Sequence, residues 1–576
     1  MKNNENSNNL NSSRHSCAHL LAAAVLKLWP ETKLGIGPAI EDGFYYDFNF
    51  KKPISEDDLP VIEKEMDRII KTWGKFERTE KSIKEAEEIE KDQPFKLELI
   101  KELSKESDKV SFYRSGEFVD LCKGGHVEKI QNIGHFKLLT LAGAYWRGNE
   151  KNPMLTRIYG TSFSTKAELD KYLLEREEAK KRDHKKIGKE LELFSFHKEA
   201  PGFVFWHPKG MMLREAVMKL HSELHRNEGY QTISTPIILS EELWRQSGHL
   251  ETFKDKMYFT RKDNRTFAIK PMNCPGTILV YKERPHSYKE LPLRLAESGE
   301  VHRHEPSGTL NGLFRVRAFR QDDAHIFVSE DQIETEIRRV VELTLAFYKT
   351  VGFERVDIEL STRPTKAIGS NDIWDRAEST LRKILTGLNL EYKINEGEGA
   401  FYGPKIDFHI KDSLSRSWQC GTIQLDFFMP ERFGLEYTDK DGKSKRPVII
   451  HRTIVGSIQR FVGILIEHFG GEFPTWLAPV QVLIVPIADR HNEYANSVQE
   501  NLLQNGLRCE VDSRSETMQA KIRDGELKRI PFIFVVGDRE QAQKTVTVRS
   551  RLTSEQKTET VEKVINDIEE LIKKKI

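Results

Sequence analysis

The stretch from Arg303 to His325, RHEPSGTLNGLFRVRAFRQDDAH, constrains the fold of this chain more than any other. It opens on Arg-x-Glu, passes a glycine-containing turn, and returns as Phe319-x-Gln321-x-Asp323 before ending in His325. Two extended runs joined by a polar loop form an antiparallel pair, with Arg303, Arg315, Gln321 and Asp323 on one surface. Two fixed guanidiniums on such a surface suit a polyphosphate, because their planar forks meet anionic oxygens in a defined geometry.

A chain of 576 residues exceeds one hydrophobic core, and the expectation is about three or four domains. With 38% hydrophobic and 31% charged residues it reads as an ordinary soluble protein. The formal net charge is +1, so a polyanionic partner has to be met by local patches. The five cysteines, at 17, 122, 274, 420 and 509, are odd in number and widely spaced. That argues against a disulfide framework and for a reducing compartment. The polar start, MKNNENSNNLNSS, lacks the apolar segment of a signal peptide. No run approaches the roughly 20 apolar residues of a membrane span, so a cytoplasmic protein without membrane contact is expected.

Residues 1–13 are Asn/Ser-rich and expected to be disordered. Residues 14–164 read as an α+β domain, and the charged stretch 165–195 as a single connecting helix. Residues 196–478 hold most of the motifs, with strand-like runs such as TFAIKP, RVDIEL and PVIIHR between helices. Residues 479–576 alternate VQVLIVPI, a helix, CEVD, a basic helix and PFIFVVGD, which implies an α/β domain with parallel strands.

The Arg303 segment resembles motif 2 of the class II aminoacyl-tRNA synthetases. GYQTISTP, ending at Pro236, resembles motif 1, and GSIQRFVGIL, carrying Arg460, resembles motif 3. PMNCPG, RAFRQDDAH and GEGAFYGPKIDF narrow the resemblance to the threonyl-tRNA synthetases. It implies a catalytic domain built on an antiparallel sheet, a homodimer formed through motif 1, and threonine, ATP and tRNA(Thr) as substrates. Cys274, His325 and His451 would hold one zinc ion per subunit, although their spacing alone matches no local zinc signature. Magnesium would accompany ATP.

The resemblance further implies that Arg303 grips the α-phosphate, that Arg460 meets the far end of ATP, and that Arg315 joins them in binding substrate. Met272, Gln321, Asp323, Tyr402 and Gln424 would surround the amino acid. Lys405 would neutralise charge in the same pocket, and His249 would approach the terminal ribose of tRNA. Gln459 stands where the family commonly has Glu, a change beside Arg460 that could alter its orientation.

A zinc site with open positions explains threonine recognition, because valine lacks the hydroxyl that would bind there. Serine keeps the hydroxyl and lacks only a methyl group, a difference worth about 10–200-fold discrimination. A second, hydrolytic sieve is therefore expected. His15-x-x-x-His19 puts two imidazoles on one helix face, and Cys122-x-x-x-His126 adds two further donors. These four form a plausible metal set from chemistry alone. HSCAHLL and DLCKGGHV also resemble the editing domain of bacterial threonyl-tRNA synthetases, where such groups activate water without metal, the reading favoured here. Lys96 and Asp120 match the same pocket, with Asp120 suited to the amine of the aminoacyl group. Lys123-Gly124-Gly125 replaces the family's usual Arg-Gly-Pro and leaves a looser turn. The small domain that precedes the editing domain in many bacterial members has no counterpart ahead of His15.

The carboxy-terminal region resembles the class IIa anticodon-binding domain, with Arg523, Glu540 and Arg549 at base-reading positions. A proline or serine synthetase and a non-catalytic, RNA-binding paralogue are the alternatives. Retention of the motif arginines and the Cys/His/His set weighs against both.

Overall fold

A computed structural model describes residues 2–553 and 556–576, with the backbone alone for residues 2–8. The chain divides into two compact units, Met1–Glu178 and Ala179–Ile576.

The first unit opens with the helix Lys2–Leu28. Residues 9–13, expected to belong to a disordered tail, are part of this helix, while Met1 lies outside the described residues. The reason is a partner for a polar side chain. Ser13 is buried, shares a hydrogen bond with Ser162 Oγ at 3.1 Å, and accepts from Gly134 N. The small apolar run after His19 packs against the strands Gly43–Asn49 and Met154–Phe163 and the helix Leu59–Ile69. A second, three-stranded antiparallel sheet ends in Phe118–Leu121, which delivers Asp120 and then Cys122.

The stretch 165–195, expected as one helix, is two: Lys166–Lys181 and His184–Glu190. Asp183 sits outside helical geometry and its carboxylate accepts from Lys185 N at 2.7 Å, capping the second helix.

In the second unit, among the described residues, an eight-stranded sheet runs in the order Gln231–Thr232, Leu293–His302, Ala318–Val328, Val448–Thr453, Ser417–Asp426, Lys405–Lys411, Val356–Ser361, Lys393–Asn395. All neighbours are antiparallel except the two outermost pairs. Period two then sorts the side chains. Ile326 and Val328 join the apolar core shared with the helices Pro208–Asn227, Ile333–Val351 and Ile458–Phe469. Gln321, Asp323 and His325 face the other way, into a cavity.

Residues 479–576 carry the expected parallel strands, with Val482–Pro486 between Cys509–Val511 and Phe532–Val536. Two antiparallel strands that sequence reading missed, Thr545–Ser550 and Gln556–Thr560, extend the sheet. They are polar and partly exposed, so no apolar run marks them.

Candidate active and editing sites

A cavity of about 880 Å³ opens on the polar face of the eight-stranded sheet. The segment around Arg303 folds as expected, Leu293–His302 pairing with Ala318–Val328 so that Gly299 faces Gln321 and Glu297 faces Asp323. Arg303 follows the first strand and is tied by its backbone N–H to Arg317 O at 2.9 Å. Its Nε donates to Pro271 O at 3.1 Å, and its guanidinium lies over the rings of Phe253 and Phe319. The two aromatic rings were not anticipated. Their centroids lie 5.4 and 5.1 Å from Arg303 Cζ, within cation–π range.

Cys274, His325 and His451 converge, with potential ligand atoms all within 4.8 Å of one another. Cys274 begins the helix Cys274–Lys282; the two histidines are directly paired on adjacent strands. His451 Nε2 lies 2.9 Å from Asp426 Oδ2, leaving Nδ1 for another partner. His325 Nδ1 is buried without a hydrogen-bond partner. Burial and the nearby Asp323 and Asp426 hold the Cys274 thiol far above its ordinary pKa, so a cation is what this site needs to form a thiolate. One thiol, an orphaned imidazole and an imidazole braced by a carboxylate fit a zinc ion.

Around this trio lie Met272, Gln321, Asp323, Tyr402 and Gln424, all in the cavity wall. Tyr402 donates its hydroxyl hydrogen to Gln424 Oε1. Asn273 Nδ2 donates to Asp323 Oδ2 at 2.6 Å, while burial pushes the Asp323 carboxyl up to about 6. Arg315 and Arg460 line the same cavity, and Arg460 Nε donates to Phe314 O at 3.1 Å.

Two expected residues stand elsewhere. Lys405 does not line the cavity; its ammonium is held by Asp407 at 2.8 Å, and Asp407 in turn accepts from Gln419 and Thr422 of the wall. His249 is fully buried, bonded to Ser247 Oγ at 2.8 Å, with its Nε2 3.0 Å from Met272 Sδ. Packing between Trp244 and Phe401 keeps it behind Met272, away from the opening. Gln459 does not touch the Arg460 guanidinium. Its Oε1 accepts from Arg320 N at 3.0 Å, pinning the motif 2 strand with a neutral acceptor.

In the first unit, His15, His19, Cys122 and His126 form a second group with ligand atoms within 4.8 Å. The two helix histidines stack with ring centroids 5.0 Å apart, as their spacing implies. His15 Nε2 is 3.1 Å from Cys122 Sγ, and His126 Nε2 is 3.4 Å from the same sulfur. Burial and the two neighbouring histidines push His126 down to about 2. Asp120 was expected to meet an amine, yet its buried carboxylate already meets Lys96 Nζ at 2.5 Å, Tyr46 OH at 2.7 Å and His19 Nδ1 at 3.2 Å. Tyr46 was missed, lying far from the other motifs in an aromatic strand. Gly125 adopts φ +94°, which the usual proline cannot reach.

Arg523 is exposed on the helix Met518–Leu527. Arg549, on the strand Thr545–Ser550, reaches Glu526 of that helix at 3.6 Å. Glu540 accepts from Gly537 N and from Thr547 Oγ1, two residues before Arg549. Arg549 and Glu540 are thus both tied to the strand Thr545–Ser550.

Three family descriptions match the chain. The tRNA synthetase class II core domain (G, H, P, S and T) covers residues 256–469, an anticodon binding domain covers 481–571, and the threonyl and alanyl tRNA synthetase second additional domain covers 110–159. A threonine–tRNA ligase of Acetivibrio thermocellus is 54% identical over 98% of this chain and 88% of its own length. That of Carboxydothermus hydrogenoformans is 56% identical over 93% of this chain and 85% of its own. The crystal structure of the RNA binding domain of threonyl-tRNA synthetase from Cryptosporidium parvum Iowa II superposes with a TM-score of 0.66 at 40% identity, covering 68% of this chain and 98% of that one. With that identity along nearly its whole length, and with the Cys/His/His trio and paired arginines in one cavity, the chain belongs to the threonine–tRNA ligase family of class II aminoacyl-tRNA synthetases.

Proposed function

We propose that this chain charges tRNA(Thr) with L-threonine in the large cavity and hydrolyses mischarged seryl-tRNA(Thr) at the His15–Cys122 cluster. The convergence of Cys274, His325 and His451 with Arg303 and Arg460 around one cavity carries the reading. A zinc ion on the trio would supply a Lewis acid with open positions for the amino group and hydroxyl of threonine.

The carboxylate oxygen of threonine attacks the α-phosphorus of ATP, and pyrophosphate leaves with the electron pair of the broken P–O bond. Arg303 faces the charge that builds on the α-phosphate, and Arg315 and Arg460 hold the polyphosphate end, where magnesium enters with the nucleotide. Asp323 pairs with the substrate ammonium, which favours its ionised form despite burial. Met272, Gln321, Tyr402 and Gln424 shape the amino-acid pocket. The terminal ribose hydroxyl of tRNA then attacks the carbonyl carbon and AMP departs. Lys405 acts through Asp407 on the wall, and His249 supports Met272 and Cys274 from behind.

At the second site, water attacks the seryl ester carbonyl and the ribose hydroxyl leaves. His15, Cys122 and His126 orient that water through hydrogen bonds, their buried imidazoles staying neutral. Lys96, Tyr46 and Asp120 fix His19. In this reading the four groups work as polar side chains around that water, without metal. Arg523, Glu540 and Arg549 read anticodon bases. Exposed Ile237 and Ile238 beside Pro236, with exposed Phe259 on the same small sheet, support a homodimer formed through motif 1. All five cysteines are free, which fits a cytoplasmic enzyme. No described helix is long and apolar enough to cross a membrane.

Amino-acid-dependent pyrophosphate exchange, with metal content measured per chain, tests this reading. Strong exchange with threonine, less with serine, none with valine, and one zinc per chain are expected. Equal exchange with valine, or full exchange by a zinc-free enzyme, overturns it.

A further inference from the structure

A third group of close donors, Asp183, His184 and Glu467, lies in the second unit. Its bonding marks it as a relay. His184 Nδ1 is 2.6 Å from Glu467 Oε1, and Leu313 N donates to His184 Nε2 at 2.9 Å. The ring therefore carries its hydrogen on Nδ1 and donates a hydrogen bond from it to the carboxylate. The other oxygen, Glu467 Oε2, meets Arg416 Nη2 at 2.6 Å, and Asp183 caps its own helix. Every ligand atom already has a partner.

What the relay joins is specific. Glu467 lies about two turns after Arg460 on the helix Ile458–Phe469, so the two share a face. At one end of that face, Arg460 Nε donates to Phe314 O. At the other, Glu467 holds His184, which accepts from Leu313 N. Two consecutive residues of the motif 2 loop are thus clamped to the motif 3 helix at two points. The His184 ring also packs 4.1 Å from Phe314, which rests 4.3 Å from Trp418. A Cβ on Gly312 would come within 2.1 Å of His184 Nε2, so only glycine allows this approach. Arg315, next along the loop, lines the cavity.

We propose that His184 is a positioning residue for ATP: with Glu467 it sets the motif 2 loop against the motif 3 helix, so that Arg315 and Arg460 meet the polyphosphate together. This rests on the reading of those arginines as ATP ligands. His184 itself touches no substrate.

The test is pyrophosphate exchange by the full-length enzyme, normalised to titrated active sites. His184→Ala is expected to raise KM for ATP about tenfold while KM for threonine stays within about twofold. His184→Asn, whose amide nitrogen stands near the Nδ1 position and keeps a donor for Glu467, is expected to recover part of that loss. In an Arg460→Ala background, His184→Ala should cost clearly less than in the parent, because the clamp then has only Arg315 left to position. An unchanged KM for ATP, an equal rise for threonine, or full additivity with Arg460→Ala overturns the proposal. Should His184→Ala fail to fold, Glu467→Ala, which removes the acceptor for His184 Nδ1, decides the matter by the same ratio of KM values. Arg315→Ala and Arg460→Ala alone test the underlying ATP reading; if both leave KM for ATP unchanged, that reading falls independently of His184.

Discussion

His451 and Asp426 lie 2.9 Å apart, on neighbouring strands, in a buried carboxylate–imidazole pair. The pair fixes which ring nitrogen of His451 faces the cavity and makes it a better ligand. Asp426→Asn is expected to lower zinc affinity about 10–100-fold, with a matching rise in KM for threonine and little change for ATP. Chelator competition followed by exchange assays checks this.

Cys274→Ser replaces the buried thiol with a poorer ligand. Loss of zinc from the purified enzyme and loss of threonine activation are expected together, measured as metal per chain and as exchange rate. ATP binding should survive, since Arg303 and Arg460 take their support from Pro271 O and Phe314 O.

His19→Ala and Cys122→Ala should leave threonine charging within about twofold and let seryl-tRNA accumulate, since the altered groups belong to the other compact unit. Charging assays with serine and with threonine separate the two effects. No rise in seryl-tRNA would remove the first unit from the role of sieve.

The Lys96–Asp120 pair is almost wholly buried, with both side chains no more than 3% exposed. Removing one partner leaves an unpaired charge in the core. Asp120→Ala is expected to cost about 3–5 kcal/mol of stability in the first unit, read by denaturant unfolding. A milder, function-selective loss is expected of Tyr46→Phe, which deletes one donor to Asp120.

Gly125→Pro restores the residue usual in the family yet conflicts with φ +94° at this position. Proline fixes φ near −65°, so the turn between Cys122 and His126 has to rearrange. Seryl-tRNA hydrolysis should fall, whereas Gly125→Ala, facing open space, should cost less. Equal deacylation by the proline variant and the parent would mean that the turn carries no catalytic geometry.

Much of the catalytic site was legible in the chain. The polar motif 2 strand, with period two, put Gln321, Asp323 and His325 on one face, and that face lines the cavity. The helix spacing of His15 and His19 brought their rings together. His249 and Lys405 stand outside the cavity lining for a common reason. A polar residue beside a motif can be turned inward by its neighbours, as Met272 and Ser247 turn His249 and as Asp407 holds Lys405. Residues 9–13 are helical where disorder was expected, because composition cannot reveal that Ser13 has Ser162 waiting.

Ligand types, the motif arginines, the strand periods and the family could all be read along the chain. Those depend on residue identity and short-range spacing, which any fold must respect. The partners that orient them come from folding: Asp426 on His451, Tyr46 and Lys96 on Asp120, and His184 between Glu467 and Leu313. These pairings join residues far apart in the chain, and strand register with core packing, rather than local propensity, sets which side chains meet.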